Sequence, residues 1–217
     1  ITNITGYGMI GIAVTVFVNL TGDQSKGILI SGLANMTVDE SKGAQISGLR
    51  NMAGNQFSGI NISGLANVVG GNMKGIGISG LANVAGDEML GIQLAGLLNV
   101  TGEDAKGIQI AGLMNVAGGK SSGLQLASAN LASDLNGLQI GIYNFYKNKS
   151  KGFQLGLINA NPNTRIQLML FGGNATKTNI GVRFKNQLFY TILGIGTHYL
   201  DFSDKFSAST FYRAGLE

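Results

Sequence analysis

Few side chains in this chain have the chemistry of a catalytic site. The only histidine, His198, stands in an aromatic stretch, and spacing ties no serine, cysteine or carboxylate to it as a partner. There is no cysteine, so a single histidine cannot build a zinc site. We therefore expect no catalytic, cofactor-binding or metal-binding residues, and we predict that the protein is not an enzyme.

Charged residues recur at regular places along the chain. Stacked acidic turns can bind Ca²⁺, but the glycine-aspartate nonapeptide signature is missing and several turns carry no acid, so we expect no cofactor. Mixed charge predicts a solvated edge that keeps a β surface soluble. The acids are Asp23, Asp39, Glu40, Asp87, Glu88, Glu103 and Asp104, with Lys26, Lys42, Lys74 and Lys106 close behind them.

The chain has one dense basic cluster, which runs from Lys147 to Lys151. A net charge of +4 over 217 residues without a basic stripe predicts no nucleic-acid partner. The cluster is typical of a solvated loop, and a surface glycan or a lipid phosphate stays open as its partner.

These charges fall between copies of one short motif. Gly-apolar-x-apolar begins at Gly11 and returns every sixteen residues as far as Gly123, then at Gly137 and Gly152 after spacings of fourteen and fifteen. Each copy ends in a polar stretch typical of a turn. Ten copies at such a period indicate a repeat architecture.

Within each copy the apolar residues alternate, as Ile28 and Ile30 do, and this period of two over four residues predicts a strand. A glycine and a leucine follow, then a variable position such as Ala34 or Arg50, which we expect to face outward. An asparagine comes next in every copy.

Two all-β architectures are compatible with this motif. In a β-solenoid each repeat is one coil of two short strands with a corner at the glycine, whereas in an up-and-down β-barrel each repeat is one long strand and a turn. The last three copies lack one residue before the asparagine. A corner absorbs that deletion, while a straight strand would flip its faces. We therefore predict a β-solenoid of about ten coils of 14–16 residues, and the barrel remains the alternative.

On the solenoid interpretation, we expect leucine and isoleucine columns to form a narrow dry core. The asparagine column should form a ladder of amide hydrogen bonds with a structural role. We expect a column of glutamine amides to face outward, where amides can hold a glycan but cannot do acid-base work. These are Gln93, Gln109, Gln125, Gln139 and Gln154.

The motif stops near Pro162, which predicts a repeat domain over residues 1–163 and a second segment over residues 164–217. Alternation and turn signals in the second segment predict an antiparallel meander of about four strands. It carries more aromatic side chains than one buried face readily hides, so we expect it to self-associate or to belong to a longer sheet such as a membrane barrel.

The copies GIQLAGLLNVTG and GIQIAGLMNVAG, with the tail FKNQLFYTILGIGTHYL, resemble bacterial surface-repeat proteins built from G-[IVL]-Q-I-A-G-L-x-N-V-A units. The resemblance implies a secreted, cell-surface or outer-membrane-associated protein of a Gram-negative bacterium, with no established catalytic residues. The early copies depart from the motif at Val16, Leu29, Ala44 and Gly77. We expect a non-catalytic structural or adhesive repeat protein; the alternatives are an outer-membrane β-barrel or a fragment of one, and a glycan-binding or glycan-processing solenoid.

Overall fold

The computed structural model describes residues 2–172, 178–185, 189–197 and 208–216. Every element in these ranges is a β-strand, and the strands divide into two compact units, residues 1–155 and 156–217. The chain is therefore all-β in its described parts. His198 lies outside the described residues.

The first unit is the predicted β-solenoid, in which each coil contributes a long strand and a short strand. The long strands stack in parallel with a sixteen-residue register, for example Gly75 against Gly91. They are β2 (Met9–Thr15), β4 (Ser25–Ser31), β6 (Glu40–Ser47), β8 (Gln56–Ser63), β10 (Met73–Ser79), β12 (Met89–Ala95) and β14 (Ala105–Ala111).

The short strands form a second parallel stack, in which Asn83 lies beside Asn67 and Asn99. They are β1 (Thr2–Thr5), β3 (Val18–Thr21), β5 (Ala34–Thr37), β7 (Arg50–Ala53), β9 (Ala66–Val69), β11 (Ala82–Ala85) and β13 (Leu98–Thr101). The final coils merge the two kinds of strand in β15 (Met114–Leu126), β16 (Ala129–Leu135), β17 (Leu138–Tyr146) and β18 (Phe153–Ala160).

The dropped residue is absorbed at the corner, as the sequence predicts. Asn115 pairs with Asn130 and Asn130 with Asn144, although these residues are fifteen and fourteen apart. A backbone hydrogen bond from the Ala129 amide to the Leu113 carbonyl closes the shortened corner at 2.8 Å. The asparagines therefore keep their register and stay on the same side of the strand.

The prediction of an aliphatic core is wrong. In the two main outer columns of the long strands, which include Ile28 and Ile30, every side chain is half-buried or exposed. The residues between them point inward: Leu29, Gln45, Asn61 and the glutamines from Gln93 to Gln139 are buried. Alternation separates two faces of a strand but does not say which one points inward, and here the polar face does.

The apolar part of the interior lies near the corner that joins one coil to the next. It consists of large side chains in mid-array, Phe57, Met73 and Met89, packed with Val69 and small alanines. Size compensates across the coil, because the Met73 methyl group occupies the space that a side chain at position 77 would fill. The interior is thus close-packed without leucine and isoleucine columns.

A column of glycines bends each long strand. Gly75 has a φ of 122° and lies directly against the carbonyl oxygen of Gly59 in the preceding coil, so a Cβ there would overlap that oxygen. The first glycine of the column, Gly11, has the same φ but no atom within 4 Å of the Cβ position. Both the backbone angle and the close stacking require glycine at this position.

The second unit contains the predicted antiparallel meander. Its strands β19 (Arg165–Phe171), β20 (Thr178–Lys185), β21 (Phe189–Thr197) and β22 (Ala208–Leu216) pair in sequence order. The tail aromatics Tyr199, Phe202 and Phe206 lie outside the described residues. The described strands therefore confirm a four-stranded antiparallel sheet.

Candidate functional surface

The asparagine column forms a continuous hydrogen-bonded ladder inside the solenoid. The Nδ2 of Asn83 donates to the Oδ1 of Asn99 at 2.9 Å and to the carbonyl oxygen of Leu94 at 2.8 Å, while its Oδ1 accepts from Asn67. The same link joins successive asparagines of this column from Asn19 to Asn144. The predicted ladder is confirmed, and its amides are occupied in holding neighbouring coils together.

The glutamines form a second ladder, and their predicted outward position is wrong. Gln93, Gln109, Gln125 and Gln139 are buried, and Gln154 is half-buried. From Gln109 onward, the Nε2 of each glutamine donates to the Oε1 of the glutamine in the preceding coil at 2.8–3.0 Å. They face inward because the glutamine stands between two outward aliphatic residues, so these amides are not available to a glycan.

Asn61 and Gly77 interrupt the glutamine ladder in the middle of the array. Asn61 is fully buried, and neither its Oδ1 nor its Nδ2 has a hydrogen-bond partner. Gln45 instead donates to the hydroxyl groups of Ser41 and Thr37. The glutamine ladder therefore extends only from Gln93 to Gln154, whereas the asparagine ladder extends from Asn19 to Asn144.

Charged side chains gather at the corner between coils. Lys106 donates to Glu88 at 2.9 Å and lies 3.9 Å from Asp104, and Lys42 lies 3.1 Å from Glu40. The hydrogen bond to Glu88 raises the pKa of Lys106 above its ordinary value. Among the described residues, no group of three or more acids and histidines is placed to hold a metal ion. The geometry matches a solvated, charge-paired edge.

The opposite side of the solenoid is apolar. The outer columns of the long strands hold only aliphatic side chains and one phenylalanine, from Ile12 to Leu155. A leucine follows at the glycine corner in six successive coils, and Leu81 there is 44% exposed. The variable positions are half-buried on the outer side of the short strands, apart from Arg50 and Tyr143, which are exposed. This outer surface, and not an amide column, is the candidate functional surface.

Comparison with protein-family models, curated proteins and solved structures finds no match. Within the part of the chain that the structure describes, no helix has the length and apolar character needed to cross a membrane.

Sequence reasoning identified the repeat, the corner and the asparagine ladder, but it missed the apolar outer surface. A signal was present in the sequence: the third position of the motif, between the two apolar residues, holds alanine, leucine, glutamine, asparagine or glycine, whereas its two neighbours are aliphatic in nearly every coil. Where this position holds a small residue, the residue four places earlier is large: Phe57 precedes Asn61, and Met73 precedes Gly77. Such compensation in size is typical of positions that pack together in an interior.

Proposed function

We propose that the protein is a non-catalytic structural or adhesive module of a bacterial cell surface or outer membrane, as the resemblance to surface-repeat proteins implies. The observation that carries this proposal is the apolar outer columns of the long strands, which are repeated in every coil around buried amide ladders. A repeated surface suits an extended contact better than a single reaction centre, because each coil offers the same side chains at the same spacing.

The amide ladders support a structural role. The ladder asparagine of each coil bonds to that of the next coil, so substitutions at the variable outer position leave the ladder intact. Arg50 is the one charged side chain in the outer column of the short strands, and it is exposed. Outer substitutions of this kind would tune contacts without disturbing the interior.

Labelling of intact cells tests the proposed location. The cluster from Lys147 to Lys151 has exposed lysine side chains, so a reagent for amines that cannot cross membranes should modify Lys147, Lys149 and Lys151 on intact cells. Lysed cells provide the control for total reactivity. Modification only after lysis, with the chain recovered in the cytosolic fraction, would refute a surface location. Cleavage of any member of a glycan panel by the purified chain would refute the non-catalytic assignment.

A second candidate function, a segment of an outer-membrane β-sheet, is favoured by the second unit. On one face of β19 the side chains of Ile166, Leu168 and Leu170 are 70–80% exposed. Gln167 lies on the other face, paired with Arg183, whose guanidinium stacks on Tyr190 at 4.5 Å from the ring centroid. An aliphatic face opposite a polar and basic face is the alternation expected of strands between lipid and water.

A pair of neighbouring substitutions tests this second candidate. Leu168→Arg places a charge on the aliphatic face and should cost about 2–4 kcal/mol of stability in a bilayer, whereas Gln167→Arg should cost little. The measurement is urea unfolding of the full chain in phospholipid vesicles. Equal effects of the two substitutions would rule out a lipid-facing sheet.

A further inference from the structure

The apolar surface of the solenoid is larger than a water-exposed face normally is. Ten coils spaced about 4.8 Å apart, with five apolar-face residues of about 3.3 Å each, give a long-strand face of roughly 700 Å². The largest apolar patch on a monomeric protein is typically about 300–600 Å². Something apolar is therefore expected to cover this face.

The apolar surface also continues around the glycine corner. Leu65, Leu81 and Leu97 project there with 44–45% of their surface exposed, and the short strands beyond carry Val68, Val84 and their equivalents on the outside. A second copy of the chain packed on one flat face would leave the corner and the other face in water. Only a fluid apolar medium covers both faces and the corner together.

The backbone amides at this corner donate to carbonyl oxygens of the preceding coil. The amide of Leu81 donates to the carbonyl of Leu65 at 2.9 Å, and Ala82 donates to the same carbonyl at 3.0 Å. The amide of Gly80 donates to Ser63 at 3.3 Å. Internal pairing of these amides suits a corner that meets hydrocarbon, because each unpaired amide there would cost several kcal/mol.

The dimensions and the position of charge agree with one leaflet of a bilayer. From Ile76 to the Leu81 corner the apolar part spans roughly 16 Å at about 3.3 Å per residue. One leaflet contributes about half of a hydrocarbon core of ~30 Å. The charged corner, with Lys106, Glu88 and Asp104, lies at the other side of the coil, where lipid headgroups would be.

We propose that the solenoid lies embedded in one leaflet of a membrane, with its long axis along the bilayer plane and its leucine corner toward the bilayer centre. The partner is lipid hydrocarbon. Acids and lysines are mixed and paired at the charged corner, so binding does not require anionic lipid. This inference rests on the proposed role at the cell surface or outer membrane. It names the contact through which the repeats would attach the protein there, which is lipid hydrocarbon against the outer columns.

The test uses the full chain and phosphatidylcholine vesicles. The chain contains no tryptophan, so single tryptophans introduced as Leu81→Trp and Asp87→Trp report two depths on the same coil. We expect the vesicles to carry both variants on flotation. Nitroxide labels deep in the acyl chains should quench the fluorescence of the Leu81→Trp variant, and labels at the headgroup that of Asp87→Trp. Equal quenching of both by the headgroup label, or no flotation, would overturn the proposal.

Replacement of the corner leucines supplies a quantitative check. Because each leucine is already about half covered, the triple change of Leu65, Leu81 and Leu97 to Ser should lower the vesicle partition coefficient about 100-fold. Circular dichroism confirms that the triple variant is folded. The control, Lys42→Gln with Lys106→Gln, should leave partition unchanged in neutral vesicles. Unchanged partition of the triple variant would contradict the proposal.

Sedimentation without lipid distinguishes the competing occupant. A stable dimer that excludes vesicles would show that a second copy covers the apolar face, and would refute lipid as the partner. Failure to bind vesicles, with cell-surface labelling retained, would remove this inference and leave the proposed function standing. Binding to vesicles by a chain found in the cytosolic fraction would do the reverse.

Discussion

Replacing Asn83 by leucine tests the interior ladder at its centre. Asn67 would keep two acceptors for its two Nδ2 protons, the carbonyls of Ile78 and Asn61 at 2.8 and 3.0 Å. The Oδ1 of Asn99, fully buried, would lose the donor that now lies at 2.9 Å. One orphaned acceptor costs about 1–3 kcal/mol, and loss of the bond to the Leu94 carbonyl adds roughly 1 kcal/mol. We expect a total near 2–4 kcal/mol.

The same substitution at the first asparagine of the ladder is the matched control. The Oδ1 of Asn19 is buried and has no partner, so Asn19→Leu removes one orphan while it creates another at Asn35. Its cost should therefore be about 1 kcal/mol, mainly the bond to the Ile30 carbonyl. Urea unfolding followed by circular dichroism gives both free energies, and hydrogen exchange locates the loss. Equal costs at the two positions would refute the ladder argument.

Two further substitutions test the interior. Gly75→Ala should destabilise the protein by more than Gly11→Ala. Both substitutions incur the strain of a positive φ, about 1–3 kcal/mol, but only a Cβ at position 75 meets a carbonyl oxygen of the preceding coil. Equal urea midpoints for the two variants would contradict this. Gln125→Glu buries a carboxyl group, and burial raises its pKa in the folded state. The stability of the variant should therefore match that of the wild type below the unfolded-state pKa of about 4.3 and fall as pH rises through the folded-state pKa. Urea unfolding at pH 7 should show a loss of about 3 kcal/mol or more, and a loss independent of pH would count against burial.

Much of the fold follows from local signals in the sequence. The period of sixteen, the alternation in each copy and the residue missing before Asn130 together predict stacked coils with a tolerant corner. The asparagine ladder is also predictable, since an amide at the same place in each coil can bond to its neighbour only if the strands are parallel and in register.

The direction of the faces could not be predicted from alternation. Hydrophobic residues are ordinarily expected to point inward, and Ile28 and Ile30 are hydrophobic, so residue type alone would place them in the interior. What decides the direction is the bonding of Asn35, whose Nδ2 reaches the backbone carbonyls of Leu29 and Ile46 across the coil and therefore must lie inside. Leu29 shares that interior, which leaves the isoleucines outside. The candidate surface was missed for the same reason.

The dependence of each coil on the next one has a genetic consequence. Each asparagine of the ladder in mid-array bonds to the equivalent residue sixteen positions away, as Asn67 does to Asn83. Recombination between repeats of the gene that inserts or deletes one whole copy would therefore restore the hydrogen bonds of the asparagine ladder. The length of the solenoid can then evolve in steps of about 4.8 Å. Selection can therefore change the length of the solenoid through the number of repeats, without requiring a new set of ladder contacts.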